Sequence, residues 1–307
     1  MSPKKTSRAM ILLVFLSVVL GGLAYNKRAD IKTYIIYSPT LSKLVMFVRD
    51  GEKIDENHLV ATLDNGLKII VNVNDPGVSR NIRIMGRWDA NETALLDSLV
   101  TPGQTVVEVG ANFGVNTLRM AHLTGEQGKV HAFEANPKVA QRLSRSLQMN
   151  QLQKNTAVHA MAAGDKNEKL FLTTEDLGAA HISQNNAGAI PVEVRPLDEV
   201  LPDLKIDLLK IDAEGYEYRI IKGAQDILNR SPHAILMIEW YPGMIQQQGN
   251  DPREFLTFLE NMGYKNIWRV GPHTDRKGHL IPISHDELMT IRHCDLVLSR
   301  SPQKPLS

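Results

Sequence analysis

The chain has 307 residues, 43% of them hydrophobic and 22% charged, which is enough apolar material for a full core and excludes both a disulfide-held mini-protein and a disordered chain. Its 35 Lys and Arg against 34 Asp and Glu leave a net charge of +1, so no basic excess is present to cover nucleic-acid phosphates. A single cysteine, Cys294, excludes an intrachain disulfide framework and a multi-cysteine zinc site.

Taken in chain order, Lys4, Lys5 and Arg8 precede an uncharged stretch, residues 9–25, rich in Ile, Leu, Val and Phe. Its length falls at the short end of the roughly 17–25 residues that span a bilayer and beyond the roughly 7–15 of a signal-peptide apolar region. No small-x-small cleavage site follows, so an uncleaved single-pass membrane anchor is expected, with a cleaved signal peptide or a buried helix as the other readings. Lys27, Arg28 and Lys32 balance the cations before the stretch, and Lys43 and Arg49 tilt the positive-inside rule toward a cytoplasmic body.

Residues 58–73, HLVATLDNGLKIIVNV, place two apolar runs around Asn65-Gly66, a dipeptide suited to the positive-φ turn of a tight hairpin. A helical pattern begins near Asn91, runs through ETALLDSLV and ends before Pro102-Gly103. Strand-like runs follow at residues 105–110, 129–135, 157–162, 206–212, 233–240, 265–270 and 294–300, and helical periods separate the first five. Such alternation produces an α/β fold with a mostly parallel sheet covered by helices on both faces. The last two runs are joined by a Gly-, Pro- and His-containing loop over residues 271–285 and a short helical stretch, which suits an antiparallel final strand closing the sheet edge. The expected organisation is therefore an N-terminus and anchor over 1–30, an extension with a hairpin over 31–90, a catalytic domain over 91–300 and a tail over 301–307.

The most informative segment is VVEVGANFGVNTL, an apolar strand ending in glycine and running straight into a helix. In an open parallel sheet, ligands bind at the strands' carboxyl ends, and a glycine there lets the backbone approach closely. Gly110 and Gly114 supply that approach, but the second and third glycines of G-x-G-x-x-G fall at Asn112 and Val115, so a dinucleotide pyrophosphate would meet a side chain. Glu134 ends the next strand about two dozen positions on, near the roughly 20-residue offset at which an acidic residue meets ribose hydroxyls. Glu108 lies on the same strand face as Gly110 and can accept from an amino-acid ammonium, directly or through water. A nucleoside carrying an amino acid fits these groups, and S-adenosylmethionine is such a molecule.

VEVGANFG, followed by HAFEANP, AMAAGD and DLLKIDAEGYEYRIIKGA, resembles the FkbM-type methyltransferases, which have the class I Rossmann-like fold of seven strands, mostly parallel with an antiparallel last strand. The likeness covers roughly residues 91–240 and is specific in its combination. It implies S-adenosylmethionine as cofactor, a cofactor loop of Glu108, Gly110, Ala111, Asn112 and Gly114, ribose contact by Glu134, and Ala162, Ala163 and Asp165 near the adenine. Glu108 stands where the family commonly has Asp, and Ala135 where it often has Pro.

In IDLLKIDAEGYE, Lys210 and Asp212 share a strand face, and Asp212 emerges at the carboxyl end beside the expected methyl group. Glu214 and Glu217 follow into the next helix. Methyl transfer requires the protein to align the acceptor and take up its proton, and Asp212, His181 and Glu239 are the candidate bases. Lys210 is read as neutralising a carboxylate cluster that includes Glu108 or Asp212. Asp212, Glu239 and Asp198 lack the fixed spacing of a hard-cation site, and His273, His279, His285 and His293 lack the helical spacing of a zinc pair, so no metal is expected and the histidines read as loop and surface residues. Trp240 and Tyr241 line an acceptor pocket or pack in the core; Cys294 reads as a small buried hydrophobe, and the acceptor pattern for glycosylation at Asn91-Glu92-Thr93 is given no role. The resulting expectation is O-methylation of a carbohydrate, glycolipid or secondary metabolite by a membrane-anchored domain facing the cytoplasm, where the cofactor is made. A nicotinamide-dependent dehydrogenase on a related sheet and a membrane-anchored, non-catalytic binding module are the rival readings.

Overall fold

The computed structural model describes residues 42, 46, 50–172, 189–271 and 278–301. The chain divides into two compact units, Met1–Gly86 and Arg87–Ser307.

In the first unit, β1 (His58–Thr62) pairs antiparallel with β2 (Lys68–Asn72), and α1 (Val78–Met85) follows. The hairpin expected around Asn65-Gly66 forms, but with a longer connection than a two-residue turn. The Leu63 N–H donates to the Leu67 carbonyl at 2.8 Å, and of the dipeptide only Gly66 takes a positive φ, +88°.

The second unit opens with α2 (Ala90–Leu99), capped by the Asp89 carboxylate, which accepts the N–H groups of Asn91 and Glu92. Then come β3 (Thr105–Val109), α3 (Val115–Thr124), β4 (Lys129–Phe133), α4 (Pro137–Met149), β5 (Thr156–His159), β6 (Ala162–Ala163), β7 (Glu168–Leu172), β8 (Ile190–Arg195), α5 (Leu197–Val200) and β9 (Leu208–Ile211). The chain continues through α6 (Glu217–Lys222), α7 (Gln225–Arg230), β10 (Ile235–Trp240), α8 (Pro242–Gln247), α9 (Pro252–Asn261), β11 (Asn266–Val270), β12 (Leu280–Pro282), α10 (His285–Leu288) and β13 (Cys294–Ser299).

Among the described residues the main sheet has eight strands in the order β12-β11-β13-β10-β9-β3-β4-β5. Strands β5, β4, β3, β9 and β10 pair in parallel, and β13 pairs antiparallel with β10 and β11. Every residue of β9 is buried, as are Val106 to Val109 of β3. Since successive side chains point to opposite faces, the sheet centre is covered on both sides, as a parallel α/β sheet requires. Seven of these strands form the class I arrangement, with β12 added at the rim.

Three details differ from the sequence expectation. The antiparallel strand β13 does not close the edge; it sits between β10 and β11, with Leu296, Val297 and Leu298 fully buried, and β12 is the edge strand. A nearly continuous apolar run belongs inside a sheet, and the less buried β11 lies farther out. A separate three-stranded sheet, β6-β8-β7, lies between β5 and β9 in the chain; the run expected over 157–162 divides between β5 and β6, and β7 and β8 were not expected. The segment EYRIIKGAQDILN forms two helices that meet at Gly223, where a Cβ would stand 1.9 Å from the Gly164 carbonyl oxygen. The Asp198 carboxylate caps α7 through the N–H groups of Asp226 and Ile227.

The membrane-anchored, cytoplasm-facing placement is corrected. Among the described residues no helix is long and apolar enough to cross a membrane, and residues 9–25, on which that expectation rested, lie outside the described residues.

Candidate functional site

The strand order reverses direction between β3 and β9: the chain steps from β3 outward through β4 to β5, then returns to lay β9 and β10 on the other side. Such a switch point opens a crevice beyond the carboxyl ends of the strands. Its floor is fixed by backbone bonds that outrun the strands. Gly110 and Ala111 N–H both donate to the Phe133 carbonyl at 3.0 Å, Glu134 N–H to His159 and Asp212 N–H to Val109, also at 3.0 Å.

The turn from β3 into α3 is left-handed at three positions: Gly110 (φ +86°), Asn112 (φ +51°) and Gly114 (φ +91°). Gly110 is obligatory, because a Cβ there would lie 1.8 Å from the Asp212 carbonyl oxygen. At Gly114 a Cβ would lie 2.1 Å from a Leu143 methyl. Asn112 takes the conformation a glycine would otherwise supply, and its side-chain oxygen accepts the Phe113 N–H at 2.8 Å. The Asn112 N–H in turn donates to Glu134 Oε2 at 2.7 Å, and the Asn136 N–H to Glu134 Oε1 at 2.8 Å. Glu134 thus ties the β3 turn to the β4 turn. Burial raises its pKa, opposed by the N–H groups of Asn136 and Asn112. Each carboxylate oxygen has two lone pairs, so both retain an acceptor site for a hydroxyl.

Glu108 is only 1% exposed, beneath this turn. Its Oε2 accepts the Thr117 hydroxyl, and its Oε1 is 3.9 Å from Lys210 Nζ. Lys210, on β9, also lies 3.1 Å from Glu92 of α2 and 3.4 Å from Asp212. Burial pushes Glu108 up to about 7 despite Lys210, and it raises Glu92 and Asp295 as well. The ammonium of Lys210, though desolvated, is held well above its ordinary range by Glu92, Asp212 and Glu108. This is the neutralising role read for Lys210, with Glu92 and Asp295 as members that sequence reasoning missed. The signal for Asp295 was a lone acid inside the apolar run CDLVLSR; nothing local marked Glu92.

Beyond β9, Asp212 emerges beside Glu214, itself at φ +52°. Glu217 Oε1 accepts the Ala213 and Gly215 N–H groups at 2.9 and 3.2 Å and so fixes this turn. Glu239, near the end of β10, meets His293 Nε2 at 2.9 Å. Donating to the Glu239 carboxylate raises the His293 pKa. His293 is thus more than a surface residue, and the residue register pairs Glu239 with Asp295.

The other expected site residues fall elsewhere. Ala162 and Ala163 form β6 of the small sheet, and the Asp165 carboxylate is engaged by Arg219 at 2.7 Å and Lys222 at 3.4 Å. Those cations lower the pKa of Asp165 against its partial burial. Asp198 caps α7, apart from Asp212 and Glu239. Trp240 is fully buried, its indole N–H donating to the Leu288 carbonyl at 3.1 Å, and is core; Tyr241 lies 5.6 Å from the His293 ring. Cys294 is partly buried, and burial pushes its thiol up to about 12. Asn91 is buried, donating to the Gly271 carbonyl at 2.9 Å and accepting the Gly278 N–H, so its amide is committed inside the fold. His181 and His273 lie outside the described residues.

Comparison with known proteins gives one family model, the methyltransferase FkbM domain, matching residues 108–265, a little over half of the 307-residue chain. Among solved structures, the chain is similar to a methyltransferase FkbM from Methylobacillus flagellatus KT, with 16% identity and a TM-score of 0.44 over 71% of this chain and 52% of that one. The chain therefore spans about half the length of that protein. It is also similar to an S-adenosylmethionine-dependent O-methyltransferase from Thermotoga maritima (14% identity, TM-score 0.42, 83% and 88% of the two chains). A third is an S-adenosylmethionine-dependent methyltransferase from Aquifex aeolicus (18% identity, TM-score 0.41, 68% and 88%). No curated protein matches. Neither the dehydrogenase nor the non-catalytic module finds support in these matches.

Proposed function

The chain belongs to the methyltransferase FkbM domain family, and from that premise we propose that it moves the methyl group of S-adenosylmethionine to a hydroxyl oxygen of a carbohydrate, glycolipid or secondary metabolite. One observation carries the cofactor assignment: the β3 turn is left-handed at Gly110, Asn112 and Gly114 and is bonded to a buried Glu134 whose two oxygens each keep an acceptor site. That donor set suits a ribose diol, and the side chain at Asn112 disfavours a pyrophosphate.

When bound, S-adenosylmethionine supplies an activated methyl group with its own leaving group. Glu134 accepts the two ribose hydroxyls, and the turn from Gly110 through Ala111 to Gly114 brackets the amino-acid end. Glu108 acts from below, as a buried carboxylate shared with Lys210 and Thr117. Asp212 and Glu239 stand at the carboxyl ends of adjacent parallel strands, where they orient an acceptor hydroxyl and take its proton. Ala162, Ala163 and Asp165 border the adenine end in this reading.

The test is transfer of label from S-adenosylmethionine carrying tritium in its methyl group to a panel of methyl glycosides, a glycolipid extract and polyketide alcohols. Alkali-stable label on carbon-bound oxygen is expected. Label found on nitrogen would overturn the O-methylation, and no label on any acceptor would overturn the acceptor classes named.

A further inference from the structure

Carboxylates outnumber cations where β9 and β10 end. Asp212, Glu214, Glu217 and Glu239 converge there, and the nearby ammonium of Lys210 is already shared among Glu92, Asp212 and Glu108. Among the described residues His293 is the other basic group, bound through Nε2 to Glu239 and 45% exposed at its side chain. Two buried carboxylate oxygens are left without a partner among the described residues. Glu217, 1% exposed, spends Oε1 on the Ala213 and Gly215 N–H groups, and its Oε2 is buried with no partner. Glu239 spends Oε1 on His293, and its Oε2 is likewise buried and unpartnered. A buried acceptor without a donor is costly and signals a ligand group that belongs beside it.

These groups sense one another. Burial and then Glu239 push Glu217 up to about 8, and burial, Glu239 and Asp212 push Glu214 up to about 7. His293 lowers Glu214 in turn, and it faces Glu239, Asp295 and Asp212, with Tyr241 against its ring. Glu108, Glu92 and Asp295 lie around Lys210 on the inner side. Glu214 and Glu217 therefore hold protons near neutrality that an arriving cation would displace.

Resting on the methyltransferase reading, we propose that Glu214, Glu217 and Glu239 form a cation subsite that selects the positively charged sulfonium cofactor over its neutral thioether product. When the methyl group passes from sulfur to a hydroxyl oxygen, the S–C electron pair stays on sulfur, the O–H bond breaks and one proton is freed. The positive charge leaves the cofactor as that proton appears. The carboxylates that gave up protons to admit the cation recover this one, so the proton lost to solvent per turnover is the one displaced when the cofactor binds. Product release then follows from loss of charge in the ligand rather than from motion of the protein.

The test needs no acceptor. Titration calorimetry of the full chain with S-adenosylmethionine and, separately, S-adenosylhomocysteine is run at pH 6 and pH 8, in phosphate and in Tris, whose ionisation enthalpies differ. With Glu214 pushed up to about 7 and Glu217 to about 8, both are largely protonated at pH 6, whereas at pH 8 Glu214 is mostly and Glu217 about half ionised. Affinity for the sulfonium is expected to tighten about fivefold across that interval with net proton release, and the thioether to change about twofold at most. The amine common to both ligands cancels in the comparison. Glu239→Gln and, as a second variant with the cluster intact, His293→Gln are checked for folding by circular dichroism. Glu239→Gln is expected to bring the preference for sulfonium over thioether toward unity at pH 8, and His293→Gln to keep it. Equal pH dependence for the two ligands, or an unchanged preference in Glu239→Gln, would overturn the subsite and leave the cofactor assignment standing. Binding of neither ligand would overturn both.

Discussion

Replacing Lys210 by Met removes the cation at the centre of a buried acidic group while keeping its aliphatic length. Lys210 Nζ lies 3.1 Å from Glu92, 3.4 Å from Asp212 and 3.9 Å from Glu108. Asp212 is partly exposed and can turn to water, whereas Glu92 and Glu108 are buried and cannot. Stranding buried charge by removing one partner costs about 3–5 kcal/mol. For a unit the size of Arg87–Ser307, each kcal/mol shifts Tm by about 2–4 °C, so a fall of about 10 °C at pH 8 is expected. The pH dependence identifies the cause. Glu108, raised from 4.5 to about 7, holds more protons folded than unfolded between those values. Its contribution to stability is thus full in acid and is lost as pH rises through that window. At pH 5.5 Glu108 is already largely neutral, and the loss of Tm should shrink to less than half its value at pH 8. Scanning calorimetry of both proteins at the two pH values measures this. An equal loss at both would refute electrostatic pairing and point to packing alone.

Three further outcomes follow from the same geometry. Glu134→Ala removes two ribose acceptors and the anchor of the Asn112 and Asn136 amides, so S-adenosylmethionine should bind about tenfold to hundredfold more weakly by calorimetry; unchanged affinity would misplace the cofactor loop. Gly110→Ala adds a Cβ 1.8 Å from the Asp212 carbonyl oxygen on a backbone at φ +86°, and should lower Tm and abolish cofactor binding, the left-handed conformation alone costing roughly 1–2 kcal/mol; a wild-type melting curve would refute the close approach. Cys294, its thiol pushed up to about 12 by burial, should react with iodoacetamide at pH 8 at least about 100-fold more slowly than in the urea-unfolded chain, read by intact mass.

Much of the central sheet could be read from sequence because buried parallel strands are short apolar runs punctuated by turn residues, as in TVVEVG and IDLLKID. Strand order was harder. The apolar pattern tells that β13 is buried but not that it enters between β10 and β11. The small sheet went unread although IPVEVR alternates, with Val192 and Val194 buried and Glu193 exposed. Pro191, a residue that disfavours a strand interior, is tolerated because β6 pairs with β8 only at Val194 and Arg195, leaving no second strand at Pro191 among the described residues. In the site, the residues of one contiguous motif, Gly110, Asn112 and Gly114, were legible because a tight turn dictates local chemistry. Glu92 and His293 were not, since their partners Lys210 and Glu239 are distant in sequence and only the folded sheet brings them together.

The most direct test is a crystal structure of the chain grown with S-adenosylhomocysteine. The ligand should lie beyond the carboxyl end of β3, against the Gly110–Gly114 turn, with both ribose hydroxyls on Glu134 and the sulfur toward Asp212. A crevice closed by protein side chains, or the ligand seated elsewhere on the sheet, would contradict the assignment.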